Sequence, residues 1–154
     1  MADALGESPG GDPGLIVFSA EPPVVKVIEE WRTWLTHEKR TSLYTVDGYS
    51  RDLAAFFKFL ADHLGTPPSL NDLQNLKPVD FRSYLAGRAA RGLARTSTAR
   101  AMSTLRGFFR YLDRNGFVKN AAITTVRTPK VPKSVPKALS EEDAFDMVDS
   151  LRTE

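Results

Sequence analysis

Few side chains in this 154-residue sequence could do covalent chemistry. There is no cysteine, which excludes disulfides, thiolate zinc sites and a cysteine nucleophile. His37 and His63 are the only histidines, and they fall on different predicted helices with no third ligand type at metal spacing. No metal site is expected. There is no glycine-rich phosphate loop and no Gly-x-Ser-x-Gly elbow, and no cofactor is expected either. Tyr44, Tyr49, Tyr84 and Tyr111 are nucleophiles in principle, yet none has an activating base beside it. Tyr49 and Tyr84 also fall on apolar faces, where packing accounts for them. The expectation is a chain with no catalytic residue of its own.

What the sequence does offer is chemistry for holding a polyanion. From Lys77 to Leu139 there are 14 Lys or Arg against only Asp80 and Asp113, a local balance of +12. Residues 1–38 carry two basic and seven acidic groups, and the last fifteen carry one and six. A basic block between acidic ends points to nucleic acid as partner. Within the block, a helical projection from Arg95 to Arg114 puts Arg100, Ser103, Gly107, Arg110 and Arg114 opposite the apolar stripe, with Arg106 flanking them. Arginine suits phosphates and guanine edges because its donors are planar and bidentate. Ser103 and Gly107 would let the helix backbone come close to a duplex. A solvated face is the bland alternative, but such faces usually mix signs. Thr41, Ser42 and Thr45 form a weaker candidate at the start of another helix, where hydroxyls and free N–H groups could meet a phosphate, with Arg51 and Lys58 on its outer face. Helix capping explains Ser42 equally well.

These candidates need helices to position them. The first predicted helix follows Pro22–Pro23 and buries Val24, Val27, Ile28, Trp31, Trp34 and Leu35. The second opens near Ser42, carries Val46, Tyr49, Leu53, Phe56, Phe57, Leu60 and Leu64, and ends at Gly65. The third starts at Pro78, buries Phe81, Tyr84 and Leu85, and stops at Gly92. The fourth buries Met102, Leu105, Phe108, Phe109 and Leu112 and closes at Asn115–Gly116. No segment alternates with period two for long enough to predict a strand. The expected fold is all-α: a domain of four to five helices over 22–118, after a flexible Gly/Pro/Asp-rich tail at 1–21.

Residues 119–139 read as an extended basic linker, in which Pro129, Pro132 and Pro136 alternate with Lys130, Lys133 and Lys137. Lys130 and Lys133 join the candidate phosphate contacts. At 140–154 a capped helix begins, as though a second domain had been cut away. The apolar run Leu53 to Leu64 is broken by Lys58 and Asp62, and Met1 to Pro23 lacks the features of a secretory signal. A soluble, cytoplasmic protein without membrane contact is expected.

Several spaced residues resemble a known family. Thr45, Tyr49, Asp52, Leu53 and Phe56 read T-x3-Y-x2-D-L-x2-F. Downstream come Gly92–Leu93, Ser97, Ala99–Arg100, Ser103, Leu105–Arg106, Phe108, Tyr111–Leu112, Asn120, Pro129–Lys130 and Pro136–Lys137–Ala138–Leu139–Ser140. In order and spacing this resembles the SAM-like core-binding domain and linker of tyrosine recombinases (the phage integrase family) of the Xer type. The resemblance implies a clamp on duplex DNA, with strand cutting and rejoining done by a separate catalytic domain through a tyrosine nucleophile. It also implies a tetramer with a related recombinase subunit, resolution of chromosome dimers, and activation by a septal DNA translocase. Phage or transposon integrases share the family. A helical protein-interaction module remains the rival reading of the residues. Asn120–Ala121 replaces the family's Asn-Pro, Ala94 replaces a common Ser cap, and Ser50 and Ala101 stand where a basic residue is frequent. The last two are expected to weaken individual phosphate contacts.

Overall fold

The computed structural model describes residues 16–128, and among these every regular element is helical. Helix α1, Pro22–His37, starts on two prolines whose fixed φ suits a first turn, and it buries Val24, Val27, Ile28, Trp31 and Leu35. Helix α2, Leu43–Leu64, is capped by Ser42, whose Oγ accepts from the Thr45 N–H at 3.1 Å. It ends where Gly65 takes φ 82°, a left-handed value that is costly for residues with a Cβ. Helix α3, Leu70–Gln74, was not expected from the sequence. It is one turn held by a reciprocal capping box, Asp72 N–H to Ser69 Oγ at 3.0 Å and Ser69 N–H to Asp72 Oδ2 at 2.9 Å.

Helix α4, Pro78–Ala90, and helix α5, Arg95–Arg114, lie within the bounds read from the sequence. Asp80 ties down the start of α4 by accepting from the Lys77 N–H at 2.7 Å and pairing with the His63 ring of α2 at 2.9 Å. Between α4 and α5 the chain reverses over Arg91–Ala94. There the N–H of Leu93 donates to Arg88 O and that of Gly92 to Ala89 O, which satisfies two carbonyls that α4 leaves open. A short 3-10 turn, Ala122–Thr125, follows α5.

The five helices close around one aromatic-rich core. Phe56 of α2 stacks on Phe81 of α4 at 5.8 Å between centroids, and Phe57 meets Phe108 of α5 edge-on at 6.2 Å. Trp31 of α1 meets the same Phe108 edge-on at 5.2 Å. Phe108 thus joins three helices, through ring geometries that contribute beyond plain burial. Helix α5 packs chiefly on α2, with Phe108 also against α1 and Phe109 against α4, so the core fixes which face of α5 is left outside.

The ordered domain extends past both boundaries expected for it. Phe18 is buried in the core, Ile16 packs against it, and the Glu21 N–H donates to Pro68 O at 3.0 Å. Residues 16–21, read from the sequence as part of a flexible tail, thus pack on the helical domain. At the other end, Val118, Ile123 and Val126 are buried, so residues 118–126 belong to the fold and the extended linker does not begin at Lys119. Asn120 organises this return. Its Nδ2 donates to the carbonyls of Leu73, Gln74 and Leu76 at 2.8, 3.1 and 3.0 Å, and its Oδ1 accepts from the Ala122 N–H at 2.8 Å. With Ala121 in place of proline, the asparagine side chain still ties this turn to the carbonyls around α3. Residues 1–15 and 129–154, with the rest of the tail, the Pro/Lys alternation and the helix expected after 140, lie outside the described residues.

Candidate nucleic-acid interface

Helix α5 presents its two faces as its pattern requires. Met102, Leu105, Phe108, Phe109 and Leu112 are buried, while Arg100, Ser103 and Arg114 are exposed and Gly107 and Arg110 are half-buried. A Cβ placed on Gly107 would meet nothing within 4 Å, so open space lies over the middle of the helix. The row from Arg100 to Arg114 is thus a surface ridge with a low centre and cationic ends.

Its N-terminal end is built on two arginines that face opposite ways. Arg88 of α4 is buried, and its Nε donates to Thr98 Oγ1 at 2.8 Å and its Nη2 to Ser97 Oγ at 2.9 Å. Its guanidinium lies 5.8 Å from the centre of the Tyr84 ring, and burial raises the Tyr84 hydroxyl above its ordinary pKa despite that nearby charge. All three side chains that hold Arg88 are hydroxyl-bearing, so its positive charge sits beneath the first turns of α5. Ala94 supplies no side-chain cap there. Arg91 and Arg95 are exposed at the same corner.

Arg100 points outward, with its side chain 61% exposed, yet its inner edge is gripped by Asp52 of α2. Nε reaches Asp52 Oδ2 at 3.1 Å and Nη2 reaches Oδ1 at 2.8 Å. This bond, opposed in part by burial, raises the Arg100 pKa further, so its charge is permanent.

Arg106 departs from the expectation. Its Nη2 turns to the chain that leaves the domain, donating to Val126 O at 3.3 Å and to Thr128 Oγ1. Burial, and then the charge of Arg110, lower its pKa from the ordinary arginine value. It is a tether before it is a surface cation.

The start of α2 contributes less. Ser42 Oγ donates to Thr45 Oγ1 at 2.9 Å, so the Thr45 hydroxyl is engaged in the cap. Arg51 pairs with Asp47 at 2.8 Å on the same exposed face, which offsets its charge. Lys130 and Lys133 lie outside the described residues. Ser50 and Ala101, read as weakened surface contacts, are both fully buried, with the Ser50 hydroxyl donating to Val46 O at 2.7 Å. They are packing positions in this fold.

Three residues that organise the domain, Asp52, Arg88 and Asn120, are not among the site residues expected from the sequence. Asp52 had a signal, because it stands one turn before Phe56 on the buried side of α2, where an acid needs a partner. Asn120 had one in the resemblance, as the Asn of the family's Asn-Pro, while no comparable signal marked Arg88, whose Ser97 and Thr98 partners come from α5. Among the described residues there is no group of three His, Asp or Glu that could hold a metal ion, and no helix is long and apolar enough to cross a membrane.

Residues 28–116 match the family profile of the phage integrase N-terminal SAM-like domain. A tyrosine recombinase XerC of Rhodospirillum centenum is 42% identical over 135 residues, covering 88% of this chain and 39% of the relative. A XerC of Rhizobium meliloti is 40% identical over 140 residues, covering 91% and 44%. A third, of Mesorhizobium japonicum, is 37% identical over 132 residues, covering 86% and 42%. The chain thus spans about two fifths of the length of the curated relatives it matches. No solved structure matches it.

Proposed function

Since this chain belongs to the phage integrase family through its N-terminal SAM-like domain, we propose that it is the DNA-binding part of a XerC-like site-specific recombinase and lays α5 against duplex DNA. The observation that carries this is the row Arg100, Ser103, Arg110 and Arg114 on the solvent side of α5, inside a stretch with 14 basic and two acidic residues. Phosphate contacts from such a ridge fix position, and any arginine reaching a base edge adds preference. Thr45 and Arg51 at α2, and Lys130 and Lys133 beyond the described domain, extend the same surface. Arg106 supports it from behind. Cutting and rejoining of strands is assigned to a catalytic domain in the full-length protein. That protein would clamp DNA in the cytoplasm with a related XerD-like subunit and resolve chromosome dimers under a septal translocase. The names of the relatives support the recombinase class, and their family supports this division of labour.

The test is a titration of labelled duplex with the wild-type chain, Arg110→Ala and Arg114→Ala at two salt concentrations. Log affinity should fall with log salt by about 0.9 per phosphate contact, and losing one contact should lower that slope by about one. Both side chains lie opposite the core stripe, and melting curves check that each variant is folded before its binding is compared. Folded variants that bind DNA as the wild type does would move the assignment to the protein-interaction reading.

A further inference from the structure

The acid under the basic ridge is the feature that charge alone does not explain. Asp52 is 8% exposed and its carboxylate takes two donors from Arg100, Nε and Nη2, while the single Thr104 O–H, 3.3 Å away, is shared with the Arg100 carbonyl at 3.2 Å. A buried carboxylate there lowers the positive potential of the face above it, which by itself weakens attraction to a polyanion. It also decides what the arginine can do. A guanidinium carries five N–H donors in a fixed plane. The side-on grip by Asp52 uses Nε–H and one N–H of Nη2. Among the described residues, the remaining Nη2 and Nη1 donors form an end-on fork with no other hydrogen-bond partner, and Tyr44 and Tyr49 are its electrostatic neighbours. The Arg100 side chain is 61% exposed, so that fork is at the surface.

We propose that Asp52 is a positioning residue for DNA recognition, which holds Arg100 so that its outer fork meets two acceptors on the duplex at once. This rests on the DNA-binding reading above and names the part of the surface where direction, rather than charge, gives affinity. A freely rotating arginine loses side-chain freedom when it binds, whereas Arg100 has lost it already on folding. The paired acceptors are either two oxygens of one phosphate or the O6 and N7 of a guanine, since both fit a bidentate fork.

The experiment uses the full chain, two labelled duplexes of equal length, one G·C-rich and one all A·T, and four variants. These are Asp52→Asn, Arg100→Ala, the double variant and Arg100→Lys, each checked for helicity and melting. Asp52→Asn is expected to weaken binding about tenfold in the wild-type background, within the range for a lost bidentate contact. In the Arg100→Ala background the same change should leave binding equal or tighter, because only a negative charge is removed. Arg100→Lys keeps the charge and the partner of Asp52 but has no fork, and it should bind as weakly as Arg100→Ala. A loss on both duplexes assigns the fork to phosphate, and a loss confined to the G·C-rich duplex assigns it to guanine. If Asp52→Asn tightens binding by the same factor in both backgrounds, the acid acts through charge alone and the proposal is overturned. If Asp52→Asn does not fold at the assay temperature, Arg100→Lys decides alone, and wild-type affinity there overturns it. Failure of the wild type to bind either duplex removes the DNA-binding reading itself. Binding sensitive to Arg110→Ala but indifferent to Asp52 and Arg100 removes only this inference.

Discussion

Asn120 shows how much one side chain can organise. Its two Nδ2 hydrogens serve three carbonyls around α3, and its carbonyl oxygen holds the next turn. Asn120→Ala leaves those groups without their partner, and at roughly 1 kcal/mol net per hydrogen bond the expected loss is about 2–3 kcal/mol. Asn120→Asp should cost more at neutral pH, because it sets a carboxylate against three carbonyl oxygens. Urea denaturation of the three proteins would rank them. Equal midpoints for Asn120→Ala and wild type would mean that the buried Val118 and Ile123 hold this segment without it. Asn120 stood at a family position, but the carbonyls of Leu73, Gln74 and Leu76 that it holds, like the Ser97 and Thr98 hydroxyls that Arg88 holds, are brought near only by the fold, so neither role was legible in the sequence. Asp52 was half legible: its place on the buried stripe demanded a partner, but nothing in the chain said which arginine.

Among the elements, the long helices were readable because each carries its own start and stop. Ser42 and Gly65 bound α2, Pro78 opens α4, and Asn115–Gly116 closes α5. Helix α3 was not, because five residues show barely more than one turn and hence no period. Its only mark was the spacing of Ser69 and Asp72. The surface of α5 was legible as a ridge, yet periodicity gives a direction from the axis and not a destination, and so Arg106 was assigned to DNA. Its tether belongs to the element that follows α5. Replacing Arg106 with Ala should speed amide hydrogen exchange at residues 126–128 and leave α5 itself protected. Arg106→Lys keeps the charge without the planar fork and should give a smaller change. Unaltered exchange in both variants would show that the buried Val126 alone fixes the exit of the chain.

At the scale of the whole molecule, the boundaries matter more than any one contact. A fragment of residues 22–118, as the hydrophobic pattern alone would delimit it, lacks Phe18, Ile123 and Val126, all buried in the core. Burying such a side chain is worth about 1.5–3 kcal/mol, against a usual domain stability of only about 5–15 kcal/mol. The fragment 16–128 keeps all three of these side chains. The 22–118 fragment should melt well over 10 °C lower, at about 4–8 °C per kcal/mol for a domain of this size. Calorimetry of the two fragments would check this, and equal melting temperatures would return both end segments to the status of appendages. Residues 16–21 and 119–126 were hard to read as core for one physical reason: a run as short as Leu15–Phe18, or single residues such as Ile123 and Val126, shows no periodicity, although a core can still receive them.

Both ends of the fold dock on one short stretch, with Glu21 bonded to Pro68 and Asn120 to Leu73, Gln74 and Leu76. By the reach of the intervening chain, the Pro68 and Leu73 docking points are no more than about 18 Å apart. In mechanical terms this makes α3 a shackle. Tension between whatever precedes residue 21 and whatever follows residue 120 finds its shortest path across α3, as shear on hydrogen bonds. Load arriving from beyond residue 126 meets the Arg106 tether of α5 and the buried Val126 first, and the bonds around α3 take what passes them.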